Sequence, residues 1–87
     1  MKRISDPDAP RQANITGRGI YRARREAGLS QKELSARLET MAVYICRGSL
    51  SRIEHGARLV TDIELDAIAR ALNVPVQRFF DEAFREG

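Results

Sequence analysis

Thirteen of the fifteen basic residues are arginine, a side chain whose planar fork suits phosphate and guanine better than the compact ammonium of lysine does. They are spread unevenly. Residues 1–58 hold twelve basic and six acidic residues, a net +6, whereas residues 59–87 hold three basic and six acidic, a net −3. A basic stretch of this length fits contact with a polyanion, and equally an ordinary solvated surface. The other residue types that do chemistry are scarce. There is one cysteine, Cys46, and one histidine, His55, which gives neither an internal disulfide nor a zinc site. No nucleophile stands with a base, no acidic or histidine cluster has metal-ligand spacing, and no glycine loop could cradle phosphates. Enzymatic function is therefore the weakest class, and no cofactor or metal is expected.

These residues must be positioned by a small framework. A chain of 87 residues makes one domain that hides about two-thirds of its surface, too little for a deep substrate cleft. The longest apolar run, Met41 to Cys46, is far short of the roughly 20 residues of a membrane span. With no secretory leader pattern, the expected setting is reducing and cytoplasmic, away from membranes.

Residues 1–14 carry Asp6-Pro7-Asp8 and Ala9-Pro10 and few apolar side chains, so a flexible tail is expected there, with the domain over 15–87. From Ile15 onward the apolar spacing is helical and never alternates with strand period. A first helix runs from Thr16 or Gly17 to Ala27, with Thr16 as a possible cap, Ile20, Ala23, Arg24 and Ala27 on one face, and Gly28 as its stop. Arg18, Arg22 and Arg25 share another face, as a source of long-range attraction or as plain solvated charge. Ser30 and Glu33 form a capping box that opens a second helix, and Leu34, Leu38 and Met41 continue its buried stripe. A third helix spans about Arg47 to His55 with Leu50, Ile53 and Glu54 inward, closed by Gly56. Thr61 and Glu64 box the start of a fourth, which buries Leu65, Ile68, Ala69 and Leu72. Asn73 ends it, and Pro75 suits the first turn of a fifth helix carrying Val76, Phe79, Phe80 and Phe84. The expected fold is a compact all-α, five-helix domain.

Two blocks make the pattern specific. Gly28-Leu29-Ser30-Gln31-Lys32-Glu33-Leu34-Ser35 is followed by Leu50-Ser51-Arg52-Ile53-Glu54-His55-Gly56. In this order they resemble the GLSQ-x-x-LA and IS-x-x-E-x-G blocks of the Xre family, the phage repressor and Cro type of helix-turn-helix domain. Ile20, Arg24, Ala69, Leu72, Val74 and Phe80 extend the resemblance over roughly residues 15–80. One departure is plain: Leu38 and Leu50 stand twelve positions apart, about five more than the short turn of this motif gives. The extra residues are expected to lengthen the second helix to Met41 or Ala42, with Val43 and Ile45 pinning the loop to the core.

The resemblance implies a sequence-specific, double-stranded DNA-binding regulator of transcription, a repressor in the first place. It would act as a homodimer whose recognition helices enter successive major grooves about 34 Å apart. With Cys46 at the cap, Arg47, Gly48, Ser49 and Arg52 become the base-contacting set, and Arg47 and Arg52 could each grip guanine or touch only phosphate. The family's backbone-gripping glutamine corresponds to Gln31, at a helix start that favours an anion. Lys32, Tyr44 and Arg58 are further phosphate candidates. Arg24 and Glu54 fall where the family keeps a partly buried ion pair. Phe80 matches a family core position, while Val76, Phe79 and Phe84 could form a dimer contact or simply close the core. His55 reads as surface or DNA-proximal rather than as a base or ligand, and Cys46 as a redox-sensitive cap or a small half-buried side chain. RNA polymerase is a possible further partner. The alternative function is an antitoxin that binds a toxin protein, through the tail 1–14, and also regulates its own operator.

Overall fold

The computed structural model describes residues 12–85, with side chains through residue 81. Its five helices are α1 (Gly17–Glu26), α2 (Gln31–Thr40), α3 (Arg47–Glu54), α4 (Asp62–Leu72) and α5 (Gln77–Arg85), and no strand occurs among the described residues. α1 packs against α5, α3 and α4, and α2 against α3 and α4. The core between them is built from Ile20, Leu34, Leu38, Leu50, Ile53, Ile68 and Phe79, each shut off from water. Burial of such side chains, at about 1.5–3 kcal/mol each, is what holds so short a chain together.

Both expected capping boxes are present. Ser30 Oγ accepts from the Glu33 amide at 3.0 Å while Glu33 Oε1 accepts from the Ser30 amide at 2.8 Å. Thr61 and Glu64 repeat the exchange at 3.0 Å each way. These boxes fix where α2 and α4 begin, and so fix which of their faces meet the core.

The start of α1 is made differently from what its sequence suggests. Thr16 occupies the cap position but its side chain makes no capping bond, and its buried hydroxyl has no partner among the described residues. Asn14 does the work instead: its Oδ1 accepts from the amides of Thr16 (3.1 Å) and Gly17 (2.8 Å), and its Nδ2 donates to the carbonyls of Ile53 (3.1 Å) and Arg58 (2.8 Å). The Ala13 amide also donates to Gly56 O at 2.8 Å. The last residues read as tail are thus tied to both ends of the segment after α3; residues 1–11 lie outside the described part of the chain.

Two glycines let α1 sit unusually close to its neighbours. A Cβ on Gly17 would overlap the Ile53 carbonyl oxygen of α3, and one on Gly19 would overlap the backbone of Phe79 in α5. This close approach explains the register of α5. Pro75 lies ahead of the helix rather than in its first turn, Phe79 is fully buried against α1, Phe80 is only half-buried, and Val76 is exposed. The expected core position at Phe80 is therefore filled by Phe79, which is unavailable for a dimer contact. The Phe84 side chain lies outside the described residues.

The expectation for the lengthened turn is met only in part: α2 stops short of the expected Met41 or Ala42, and the extra residues fall mostly in the loop. α2 runs to Thr40 with Met41 as its C-cap, and Ala42 then takes the left-handed conformation (φ 60°) that a glycine ordinarily supplies. Val43 N donates to Leu38 O at 3.0 Å, Ser35 Oγ donates to Ile45 O at 2.7 Å, and Ile45 is buried. Met41 faces the rim of the domain, at 36% exposure, rather than the buried stripe.

Candidate nucleic-acid interface

α3 is held from one side only. Leu50 and Ile53 enter the core, and Glu54 turns its carboxylate toward α1 and α2. The opposite side carries Arg47, Gly48 and Arg52, all exposed, with Ser49 half-buried between them. A Cβ on Gly48 would meet nothing within 4 Å, so the absence of a side chain there serves no packing need. It leaves the helix backbone bare at its N-terminal end.

The outward residues are linked to one another. Arg52 Nη2 donates to Ser49 Oγ at 3.2 Å, and Cys46 Sγ lies 3.4 Å from the same oxygen. The Ser49 hydroxyl first, then nearby amides and the Arg52 charge, hold the Cys46 thiol below its usual range. Cys46 is exposed rather than half-buried. His55 is exposed at the C-cap, its Nδ1 2.7 Å from Ser51 O, which fits the surface position expected of it.

Behind this face lies the ion pair expected between α1 and α3. Arg24 Nε and Nη2 donate to Glu54 Oε2 (2.6 Å) and Oε1 (3.0 Å), with side chains 8% and 3% exposed. Arg24 Nη1 also donates to Leu29 O at 2.8 Å, tying in the α1–α2 loop. The Glu54 hydrogen bond raises the Arg24 pKa against the opposing effect of burial. Such a pair costs desolvation to form but far more to break, because one partner alone is left as a buried charge.

The expected phosphate contacts divide. Gln31 and Lys32 line a groove of about 770 Å³ together with Arg25 and Arg47, where the end of α1 and the starts of α2 and α3 meet. Tyr44, in the α2–α3 loop, is 75% exposed. Arg58 has a partner within the chain: its guanidinium makes a two-pronged contact with Glu64 (3.2 and 3.1 Å) and donates to Leu59 O at 2.8 Å. Arg58 in turn holds the Glu64 carboxyl below its usual range. That pairing braces the α3–α4 loop, while in the sequence Glu64 is already accounted for by its capping box. No group of histidine, cysteine or acidic residues that could hold a metal occurs among the described residues, and no described helix is long and apolar enough to cross a membrane.

Comparison with known proteins places this arrangement. The sequence pattern described as Helix-turn-helix matches residues 20–79, more than half of the chain. No curated protein sequence gives a significant match. Among solved structures, the clp gene regulator ClgR from Corynebacterium glutamicum superposes with a TM-score of 0.73 at 24% identity, covering 90% of this chain and 95% of that one. The restriction-modification controller protein C.AhdI from Aeromonas hydrophila gives 0.66 at 24% identity, over 76% of this chain and 92% of that one. The controller protein C.Esp1396I, solved as a tetramer in complex with its natural 35 base-pair operator, gives 0.65 at 26% identity, over 83% and 88%.

Proposed function

The chain belongs to the helix-turn-helix family and is a DNA-binding transcriptional regulator; we propose that it is a sequence-specific repressor whose α3 enters the major groove and reads bases with Arg47, Ser49 and Arg52. Gly48 would let the helix backbone approach the base edges. Gln31, Lys32 and Tyr44 would grip the flanking phosphates, while Arg58 stays with Glu64.

The observation that supports this reading best is the division of α3: its inward residues are locked, and its outward residues are exposed, cationic and placed at the helix N-terminus. That is the end of a recognition helix from which side chains reach base edges, while the preceding helix crosses the backbone. Arginine at two such positions offers bidentate contacts to guanine O6 and N7, each worth about 1–3 kcal/mol of discrimination.

A homodimer on a two-fold symmetric site is the proposed working state. Its support is the geometry of two recognition helices in successive grooves and the oligomeric, operator-bound state of C.Esp1396I. Of the expected dimer-contact residues whose side chains are described, Val76 is exposed and Phe79 is buried. No observation favours the toxin-binding alternative, whose tail falls largely outside the described residues.

Selection of bound sequences from a random duplex pool, repeated at two salt concentrations, tests the proposal. A symmetric motif that survives the higher salt supports specific dimeric reading. Equal binding of all sequences, collapsing with salt, leaves only the phosphate contribution and contradicts it.

A further inference from the structure

Glu54 makes one more contact than a brace between two helices needs. Its Oε1, already accepting from Arg24 Nη2, also accepts from Nε2 of Gln31 at 3.0 Å. The carboxylate thus joins three elements: α1 through Arg24, α3 through its own backbone, and the first residue of α2.

The chemistry of this junction fixes the sense of the Gln31 amide. An ionised carboxylate can only accept hydrogen bonds, and that of Glu54 is ion-paired with Arg24, with its side chain 3% exposed. Gln31 must therefore turn its NH₂ group inward. Of the two ways round that a glutamine amide can lie, the reverse one would set oxygen against oxygen in a nearly dry site. One hydrogen of the NH₂ is then held by Glu54, and the second is left to an outside acceptor.

The outside is the groove lined by Arg25, Lys32 and Arg47 as well as Gln31. Helix geometry points the first amides of α2 out of its N-terminus, where Ser30, Gln31 and Lys32 line the same groove. A phosphate oxygen seated there would meet positive charge on several sides and an amide N–H already aimed.

We propose that Glu54 is a positioning residue for DNA binding: by holding one hydrogen of the Gln31 amide, it presents the other to a backbone phosphate in the groove between α1, α2 and α3. The proposal rests on the phosphate role given to Gln31 above, and adds that this role is set by the buried pair behind it. The carboxylate that seats α3 against α1 also aims the grip on the DNA backbone, so the groove-entering helix and the phosphate clamp are registered to one another through a single side chain.

A double-mutant cycle tests it, using Gln31→Ala, Glu54→Gln and the double variant, each measured for operator affinity and for melting temperature. Gln31→Ala is expected to weaken binding about tenfold, the loss of a charge-assisted contact, with the melting temperature lowered much less than by Glu54→Gln. Glu54→Gln is expected to lower both, and in the Gln31→Ala background its further effect on affinity should shrink while its effect on melting persists. An affinity loss on Glu54→Gln that is the same in both backgrounds overturns the positioning role. Full affinity in Gln31→Ala overturns the phosphate role of Gln31 itself. A readout on the unaltered protein covers the case in which Glu54 variants do not fold. In a ¹H–¹⁵N spectrum without DNA, one of the two Gln31 side-chain protons should exchange slowly and the other fast, the fast one slowing on operator addition. Two protons that both exchange as in free glutamine overturn the proposal.

Discussion

Two glycines lie on opposite sides of α3, and they contrast the helix's two jobs. On the inner side, Gly17 of α1 is pressed so close that a Cβ would overlap Ile53 O and come within 2.9 Å of Glu54 O. On the outer side, Gly48 of α3 itself faces open space. The first glycine is required by packing within the chain; the second has no packing reason, and its bareness fits an approach from outside. The inner side of α3 packs the domain together, and the outer side is the one proposed to meet DNA. Only Glu54, which meets α1 and also steers Gln31, belongs to both.

Substitutions on the two sides should therefore differ in sign as well as size. The largest effect is expected from Glu54→Ala, which strands the Arg24 charge in a nearly dry site and should cost about 3–5 kcal/mol. Melting temperature and operator affinity should fall together in thermal denaturation and gel-shift titrations; an unchanged melting point would mean that the pair does not brace the fold. Gly17→Ala forces α1 off α3 and should cost about 1–3 kcal/mol, as overpacking does elsewhere. A urea titration reads it directly, and a midpoint equal to that of the unaltered protein would break the inner half of the comparison. Gly48→Ala should act in the opposite direction on stability, raising it by up to about 0.5 kcal/mol because alanine restricts the unfolded chain and favours helix. It should nonetheless weaken operator binding by placing a methyl group between helix and DNA. A variant that gained stability and kept full affinity would show that the outer face does not need its bare backbone.

What could be read in advance from the residues were the features written in local sequence. The Ser30–Glu33 and Thr61–Glu64 boxes each satisfy backbone amides three residues apart, so their spacing alone announces them. The inward face of α3 follows from Leu50, Ile53 and Glu54, and the resemblance placed Arg24 opposite Glu54. The features that escaped depend on residues brought together from far along the chain. Asn14 caps α1 while reaching Ile53 and Arg58, and nothing in a Pro-rich tail signals such a reach. Gly17 and Gly19 have no side chain to register in an apolar pattern, yet they make the close contacts of α1 with α3 and α5. That close approach shifts the buried position of α5 from Phe80 to Phe79, a one-residue difference that apolar spacing in a short aromatic helix does not resolve. Arg58 offered the same charge to phosphate or to Glu64, and only the fold brings that carboxylate to 3.1 Å.

In the proposed complex the outer face of α3 reads guanine in the major groove. Methylation of guanine N7 blocks the very edge to which an arginine fork would bind. Methylation interference on the selected operator should therefore show one or more guanines per half-site whose modification abolishes binding, with the signal at a given guanine disappearing in Arg47→Ala or Arg52→Ala. Interference patterns that are absent, or identical in both variants and the unaltered protein, would contradict the assignment.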